Sequence, residues 1–361
     1  MPIDISIKAW LALSQIRGLG GEGARRLLQE FGSPDAVLSA PVSILNSFVK
    51  AEVAAAISGG IADDLLAPAL NWLEEDYNHI VTLGDSDYPQ ALLNIADPPL
   101  LLYIKGRRDL LNTTALAIVG SRNATPQGKC NAEEFSKSLS DAGLCIISGM
   151  AHGIDAAAHR GALLGMSSSI AVVGTGLDKV YPAANRDLAH ALAAQGTLIS
   201  EFPLGTPPVA TNFPRRNRII SGMSIGCLVV EASLQSGSLI TARLAMEQGR
   251  DVFAIPSSIH SPQSRGCHAL IKQGAKLAES AQDILEELPD VRHVYSGKPE
   301  TPDSQNQDSD LLALIGFDPV SMDGLCTRSG LTVSQLSAML LPLELEGRIT
   351  ALPGGLLQRI H

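Results

Sequence analysis

The sequence predicts an α/β protein built on a doubly wound, mostly parallel sheet, with a small helical domain before it and a winged-helix-like domain after it. From about residue 76 to residue 290, short runs rich in Val and Ile alternate with segments that are long enough for helices. Such continuous apolar runs are typical of strands buried on both faces. The 33 glycines often follow these runs, as in the strand-to-helix turns of α/β proteins. Helices between strands imply right-handed crossovers and parallel pairing.

Composition limits the class of protein and its partners. The chain has 361 residues, which favours two or three domains, and 45% are apolar, so a sizeable core is expected. The formal net charge is −10, so nucleic acid would have to bind in a focused groove rather than across the whole surface. The five cysteines form no C-x-x-C pair, and neither a leader nor an apolar run of ~18 residues is present. These features predict a soluble cytoplasmic protein that does not enter a membrane.

Residues 1–75 are expected to form the helical domain. Apolar residues recur at helical spacing in residues 7–13 and again in residues 24–28. Between them, Gly18 and Gly20 form a G-x-G turn that resembles a helix-hairpin-helix, a motif whose exposed backbone N–H groups can contact phosphate. A tight interhelical turn that needs a positive φ explains the same glycines, and the sequence leaves both interpretations open.

Residues 76–290 are expected to form the sheet domain. After the breaker Asp97-Pro98-Pro99, residues 100–104 are expected to add an outer strand. Ligands of open parallel sheets bind beyond the carboxyl ends of the strands, so the loops that follow the strands are the candidate site. The other candidate strands are residues 79–83, 115–119, 144–148, 169–173, 197–201, 227–231 and 251–255.

Residues 291–308 are expected to form a linker, because they are rich in Ser, Pro, Gln and Asp and lack periodicity. Residues 309–361 return to a folded pattern. Their few bases are interspersed with acids such as Glu344 and Glu346, whereas a helix that reads duplex DNA should be basic. We therefore expect a protein-contact or accessory role for this domain. Its predicted elements are helices at residues 311–315, 322–329 and 332–341, and a hairpin of residues 349–352 and 356–360.

The segment Asn212-Phe213-Pro214-Arg215-Arg216-Asn217-Arg218-Ile219-Ile220-Ser221-Gly222 is the most informative part of the chain. Its proline suits the start of a helix, so Arg215, Arg216 and Arg218 fall at a helix N-terminus. Cations are normally disfavoured there, and their accumulation makes sense if an anion such as phosphate lies between them. Phe213 either stacks on a base of a single strand or packs as a helix staple, and the sequence does not decide between the two.

Other strand ends carry glycine and small polar residues. In Gly120-Ser121-Arg122, Gly120 permits close backbone approach and Arg122 offers a forked donor, although a structural glycine before a surface arginine is the simpler interpretation of this turn alone. The loop Ser148-Gly149-Met150-Ala151-His152-Gly153-Ile154-Asp155 is lined by glycine. His152 and Asp155 of this loop, taken together with His159, do not have an established metal-ligand spacing, so no metal is expected.

Two later turns have the same character. Gly174-Thr175-Gly176-Leu177 again permits backbone approach to a ligand, and the nearby Tyr181 is expected to pack rather than to stack on a base. Ser236-Gly237-Ser238 begins a predicted helix, either as an anion-binding nest or as an ordinary cap.

Together these turns predict one groove, because parallel topology places the carboxyl ends of the strands along one edge. No G-x-S-x-G elbow, Walker lysine or H-E-x-x-H pattern occurs in the sequence, so neither a catalytic set nor a cofactor is expected. The expected nucleic-acid-binding residues are Gly120, Ser121, Arg122, Ser148, Gly149, Gly174, Phe213, Arg215, Arg216, Asn217, Arg218 and Ser238.

These motifs, followed by Ser236-Gly237-Ser238-Leu239-Ile240-Thr241-Ala242 and Gly249-Arg250-Asp251-Val252-Phe253-Ala254-Ile255-Pro256, occur in the order found in the DNA-processing protein A (DprA/Smf) family. The chain resembles this family over roughly residues 80–290. The resemblance implies an extended Rossmann-like fold that binds single-stranded DNA. It also implies a homodimer that hands incoming strands to the RecA recombinase during natural transformation, with Arg122 and residues 213–218 in the DNA groove.

The sequence departs from the family pattern at three places. Some family members carry lysines where this chain has Ala183 and Ala210, so two phosphate contacts are in doubt, although Arg186 and Arg215 could compensate. His268 stands where the family commonly has Asn, and we attach no function to that change.

Two other functions stay open beside a DNA-binding protein. Related Rossmann-like enzymes cleave nucleotides at the glycosidic bond with a Gly-rich turn and a nearby Glu. Here Glu231 is the only obvious candidate, and Ser236-Gly237-Ser238 replaces the expected Gly-Gly-x-Gly-Thr turn. A sensor that binds a free nucleotide and signals through the winged helix is the third hypothesis.

Overall fold

A computed structural model describes residues 5–288 and 308–360 of the chain. Its large sheet contains β1 (Asn78–Thr82), β2 (Leu101–Gly106), β3 (Ala115–Val119), β4 (Cys145–Ser148), β5 (Ser169–Val172), β6 (Thr197–Ser200), β7 (Gly226–Val229), β8 (Asp251–Ala254) and β9 (Lys276–Leu277). Within the described residues this is a sheet of nine strands in the order β1-β2-β6-β5-β4-β3-β7-β8-β9. The predicted α/β class with a mostly parallel sheet is confirmed.

Strands β3 to β9 are paired in parallel, whereas β2 is antiparallel to both β1 and β6. The expectation that residues 79–83 belong to the parallel set is therefore wrong, whereas the outer strand expected at residues 100–104 is β2, which lies outside the parallel strands with β1 beyond it. The connection from β1 to β2 contains only a short 3-10 helix, Gln90–Asn94, instead of the α-helix that usually forms a parallel crossover. The two-residue strand β9 was not predicted, since it is too short to show a pattern.

Helices cover both faces of the sheet, as the doubly wound prediction requires. They are α7 (Pro126–Asp141), α8 (Ile154–Leu164), α9 (Arg186–Gln195), α10 (Asn212–Gly222), α11 (Ser238–Glu247), α12 (Arg265–Lys272) and α13 (Ala281–Glu287). Central strand β3 shows why the sheet is apolar on both sides. Ala117 and Val119 join a buried cluster with α10 and α11, whereas Leu116 and Ile118 join another with α7 and α8.

The predicted helical region before the sheet contains α1 (Ile5–Gln15), α2 (Gly21–Phe31), α3 (Pro34–Leu38), α4 (Val42–Leu45), α5 (Ala51–Gly59) and α6 (Asp63–Trp72). We call these helices the helical module. Gly18 lies in the turn between α1 and α2 with φ of +80°, so that turn does need a residue without a Cβ. The module packs on the antiparallel end of the sheet, where the rings of Trp72 and Tyr103 lie 5.9 Å apart.

The C-terminal region has the predicted winged-helix arrangement. Its elements are α14 (Asp308–Ile315), β10 (Val320–Ser321), α15 (Met322–Ser329), α16 (Val333–Leu345), β11 (Ile349–Leu352) and β12 (Leu356–Arg359). β12 lies between β10 and β11, and a separate apolar core fills the space under the helices. Of the linker predicted at residues 291–308, all but Asp308 lies outside the described residues.

Among the described residues, no single helix is both long enough and apolar enough to span a membrane. One bent pair of helices, α5 with α6, reaches that length and apolarity when the two are taken together, and this rests on length and composition only.

Candidate nucleic-acid interface

The carboxyl ends of the parallel strands surround an open groove of about 570 Å³. The loops after β3, β4 and β7 contribute to it, together with the first turns of α10 and α11. Arg122 and Arg216 line this same groove, so loops that are distant in the sequence meet there as the topology predicts. The groove is also lined by Gly120, Ser121, Phe213, Asn217 and Ser238 from the predicted set.

Arg122 and two aromatic rings form the most distinctive surface of the groove. The guanidinium carbon of Arg122 lies 5.5 Å from the centroid of the Phe213 ring. The Tyr181 ring lies 5.5 Å from the same ring, tilted by 40°. Arg122 and Tyr181 are exposed and Phe213 is half-buried. A cation beside open aromatic faces is an arrangement that can hold a phosphate and stack a base.

Glycines at the strand ends make room for protein groups. A Cβ on Gly120 would lie 2.5 Å from Cγ1 of Ile154, and one on Gly149 would collide with the Arg216 guanidinium. A Cβ on Gly174 would lie 3.0 Å from Cδ1 of Phe213. Internal packing therefore already requires glycine at these three positions, and of the three only Gly120 also lines the groove.

Arg216 is an internal brace rather than an open cation. Its side chain is buried, and its Nη1 donates to the carbonyl oxygens of Gly149, at 2.6 Å, and of Val172. Its Nε donates to Oδ1 of Asn217 at 3.0 Å. Burial lowers the pKa of Arg216 to about 10, while the nearby carboxylate of Asp155 opposes that change. The arginine is thus charged at neutral pH. However, its Nη1 donates to carbonyl oxygens at the ends of β4 and β5, and its Nε donates to Asn217.

The other two arginines of the segment turn toward a buried acid. Oε2 of Glu201 accepts from Nη2 of Arg218 at 2.7 Å and lies 3.1 Å from Nη2 of Arg215. Arg218 is only 12% exposed, whereas Arg215 is 58% exposed and remains accessible to a ligand. Burial raises the pKa of Glu201, and the two arginines oppose that rise. The sequence prediction of three open arginines overlooked this carboxylate, which stands at the end of β6.

Ser148 and Gly149 lie at the end of β4 but do not line the groove. Oγ of Ser148 donates to the carbonyl of Ile118 at 2.6 Å and is buried. The start of α11 is also internally satisfied: Ser238 N–H donates to Ser236 Oγ, and Leu239 N–H donates to the carbonyl of Ser236 at 3.1 Å. The N-cap residue Gly237 provides no side-chain cap, so the turn itself occupies these N–H groups, which argues against an open anion nest.

Glu231, the candidate for glycosidic chemistry, has a structural partner. Its carboxylate accepts from Thr125 N at 2.9 Å and from Thr125 Oγ1 at 2.6 Å, and a Cβ on Gly128 would collide with it. Burial raises its pKa, while Thr125 lowers it. Glu231 therefore anchors the N-terminus of α7, beside the groove.

The histidines and the acid of the β4 loop do not converge on a metal. Over the described residues, no group of three or more His, Cys, Asp or Glu side chains could hold one. Nδ1 of His159 lies 2.8 Å from Oγ of Ser169, and burial lowers its pKa to about 3. His268 lies away from the groove lining, with Nε2 3.0 Å from the carbonyl of Ser257.

Sequence reasoning missed several groove residues. Asn123 lines the groove one position after Arg122, and Gln235 lines it one position before Ser236. Gln263 follows β8, whose carboxyl end faces the same edge, so counting that strand end would have found it. Pro208 comes from the irregular segment before α10, which carries no local signal of its own, and Ala210 of the same segment was singled out only through the family resemblance.

A doubly wound sheet whose strand ends enclose a groove with arginine and aromatic side chains defines a Rossmann-like ligand-binding protein. The family model for DNA recombination-mediator protein A matches residues 79–289, and the model for the DprA winged helix domain matches residues 297–355. The chain belongs to the DNA-processing protein A (DprA/Smf) family.

Known relatives agree with this assignment. The chain is 45% identical to protein Smf of Escherichia coli over 295 residues, covering 80% of this chain and 79% of that protein. It is similar to the X-ray structure of DNA processing protein A from Streptococcus pneumoniae, with a TM-score of 0.70, 38% identity, and coverage of 78% of this chain and 97% of that one. The chain also matches a structure of DNA processing protein A from Helicobacter pylori that is described for its single-stranded DNA binding mode. The TM-score is 0.54 and the identity 30%, over 59% of this chain and 96% of that one.

Proposed function

We propose that this protein binds single-stranded DNA in the groove and loads RecA recombinase onto it during natural transformation. The observation that carries the binding proposal is the placement of Arg122 over the Phe213 ring, at the edge where several strand ends meet. A backbone phosphate can approach the exposed guanidinium while a base stacks near the rings. The Helicobacter pylori relative, described for its single-stranded DNA binding mode, supports the same ligand.

Single strands are favoured over duplex by the character of the groove. Its rings can stack only on bases that are not already paired and stacked in a duplex. The winged-helix region adds little positive potential, because Arg328, Arg348 and Arg359 share it with acids such as Glu344 and Glu346. We assign that region an accessory role.

A gel-shift series with single-stranded and duplex oligonucleotides of equal length, over a range of salt, tests the ligand. We expect tighter binding to single strands and an affinity that falls steeply as salt rises. Equal affinity for both forms, or binding that is indifferent to salt, would contradict the proposal.

We also propose that the protein is a cytoplasmic homodimer; membership of the DprA/Smf family supports this and the RecA step. A test of the recombinase step is RecA filament formation on single-stranded DNA coated with a single-strand-binding protein, with and without this protein. Acceleration of filament formation is expected, and no change would contradict the loading role. Sedimentation of the full chain tests the homodimer, and separation of cell fractions tests the cytoplasmic location.

We further propose that the protein acts by binding rather than by catalysis. Glu231 is engaged with Thr125 at the start of α7, which supports a structural role for that carboxylate. Incubation with nucleoside monophosphates should release no free base. Release that disappears in the Glu231→Gln variant would establish the enzyme hypothesis instead.

A further inference from the structure

The glycine hairpin between α1 and α2 resembles a phosphate-contacting motif, and the structure places a carboxylate of the chain itself there. We call residues 18–21 the hairpin. A Cβ built on Gly21, the first residue of α2, would collide with Oδ1 of Asp97, which stands in the loop before β2. The Asp97 carboxylate therefore lies beside the N-terminus of α2, where a negative charge is favoured.

Arg25 strengthens this contact from the same face of α2, one turn after Gly21. Its Nη1 lies 3.5 Å from Oδ1 of Asp97, and its Nη2 donates to the carbonyl of Ala96 at 2.6 Å. Arg25 therefore holds both the side chain and the backbone of the loop that precedes β2.

The same carboxylate contacts the groove helix. Oδ2 of Asp97 accepts from Nε of Arg218 at 3.2 Å, while Arg218 also donates to Glu201 at 2.7 Å. Asp97 thus lies between an arginine of the helical module and an arginine of α10. Three elements that are distant in the sequence meet at one side chain.

We propose that Asp97 is an internal partner of the hairpin: its carboxylate, beside Gly21 and paired with Arg25 and Arg218, clasps the helical module to α10 and holds a negative charge where a phosphate would approach, so that the hairpin does not bind nucleic acid. The clasp does not depend on what the groove binds. Its test therefore measures unfolding first and DNA binding second.

The decisive variant is Gly21→Ala, because it changes no charge. Alanine has the higher helix propensity, so α2 alone would gain stability. Its methyl group would nevertheless displace the Asp97 carboxylate, so we expect a lower midpoint of thermal unfolding, by roughly 3–6 °C. Gly20→Ala is the matched control, since a Cβ there has no heavy atom within 4 Å and the residue has an ordinary φ of −77°.

A double-mutant cycle with Asp97→Ala isolates the contact. Removing the carboxylate removes the collision, so Gly21→Ala should cost nothing further in the Asp97→Ala background. If the Gly21→Ala variant alone fails to fold, recovery of folding in the double variant with Asp97→Ala provides the same evidence for the contact. Equal unfolding midpoints for the Gly21→Ala and Gly20→Ala variants, or additive losses in the cycle, would overturn the clasp.

A substitution of Arg17, an exposed cation beside the hairpin, tests whether the hairpin contacts nucleic acid. In fluorescence anisotropy with a labelled oligothymidine, Arg17→Ala should keep the affinity of the unmodified chain within about threefold. A larger loss would show that the hairpin contacts DNA and would overturn that part of the proposal. Failure of the unmodified chain to bind would count against the proposed function, while the unfolding cycle would still decide the clasp.

Discussion

The guanidinium carbon of Arg122 lies 5.5 Å from the centre of the Phe213 ring, although one residue follows β3 and the other stands in the first turn of α10. The sheet order brings them together because β3 and β5 lie close to each other, and α10 packs across them. The exposed cation and the aromatic ring are therefore presented to one ligand. The first two predictions separate their contributions.

Arg122→Ala should weaken binding to single strands of every sequence by roughly tenfold at moderate salt, because a charge-assisted contact to phosphate is lost. The slope of log affinity against log salt should fall by about 0.7. Fluorescence anisotropy over a salt series measures both quantities. Arg243→Ala, at an exposed position of α11 away from the groove lining, is the control and should change neither. Unchanged affinity and slope in Arg122→Ala would exclude this arginine from the site.

Phe213→Leu should reduce affinity for single strands about fivefold or more, since leucine fills the space but cannot stack on a base. Phe213→Tyr keeps the ring and should bind nearly as well as the unmodified chain. Both variants should unfold at similar temperatures, because each fills most of the space beside Gly174. If Phe213→Leu binds normally, the ring is a packing staple, which is the other interpretation that the sequence allows.

Arg216→Lys should lower the free energy of unfolding by about 3 kcal/mol, because the one lysine nitrogen cannot replace both Nη1, which donates to the carbonyls of Gly149 and Val172, and Nε, which donates to Asn217. Urea unfolding measures the loss, and Arg243→Lys serves as the exposed control. A variant that unfolds normally yet binds DNA tenfold more weakly would instead identify Arg216 as a direct ligand.

The stability of the protein should fall as the pH drops from about 6.5 toward 4, in part because of His159. Burial lowers the pKa of His159 to about 3, so between pH 3 and 6.5 the unfolded chain binds a proton that the folded chain does not. Stability from this group is complete above pH 6.5 and is lost as the pH falls. His159→Asn should reduce the slope of unfolding free energy against pH by up to ~1.4 kcal/mol per pH unit.

Urea unfolding at several pH values checks the His159 prediction by comparing slopes rather than absolute stabilities. Asp155 and Glu201 act in the opposite direction, because burial raises their pKa values, but they are present in both proteins. Their contribution therefore cancels in the comparison. Parallel slopes in the two proteins would show that His159 does not titrate as proposed.

Local patterns were sufficient to predict most of the fold. The run of residues 115–119 predicted β3 to the residue, and Pro214 correctly indicated that α10 begins nearby. Where the prediction failed, the signal was tertiary. Whether β1 and β2 run parallel depends on the connection between them, and an apolar run looks the same in either direction.

The sequence by itself determined that glycine turns and arginines gather at one edge of a doubly wound sheet, because parallel pairing and right-handed crossovers follow from the alternation of apolar runs and helices. Only the tertiary structure decided which cations face the groove. Arg122 stays exposed, while Arg216 bonds to carbonyls and Arg218 to Glu201 and Asp97. The physical reason is that a buried guanidinium must have partners, and the partners come from strand ends that the linear sequence holds far apart.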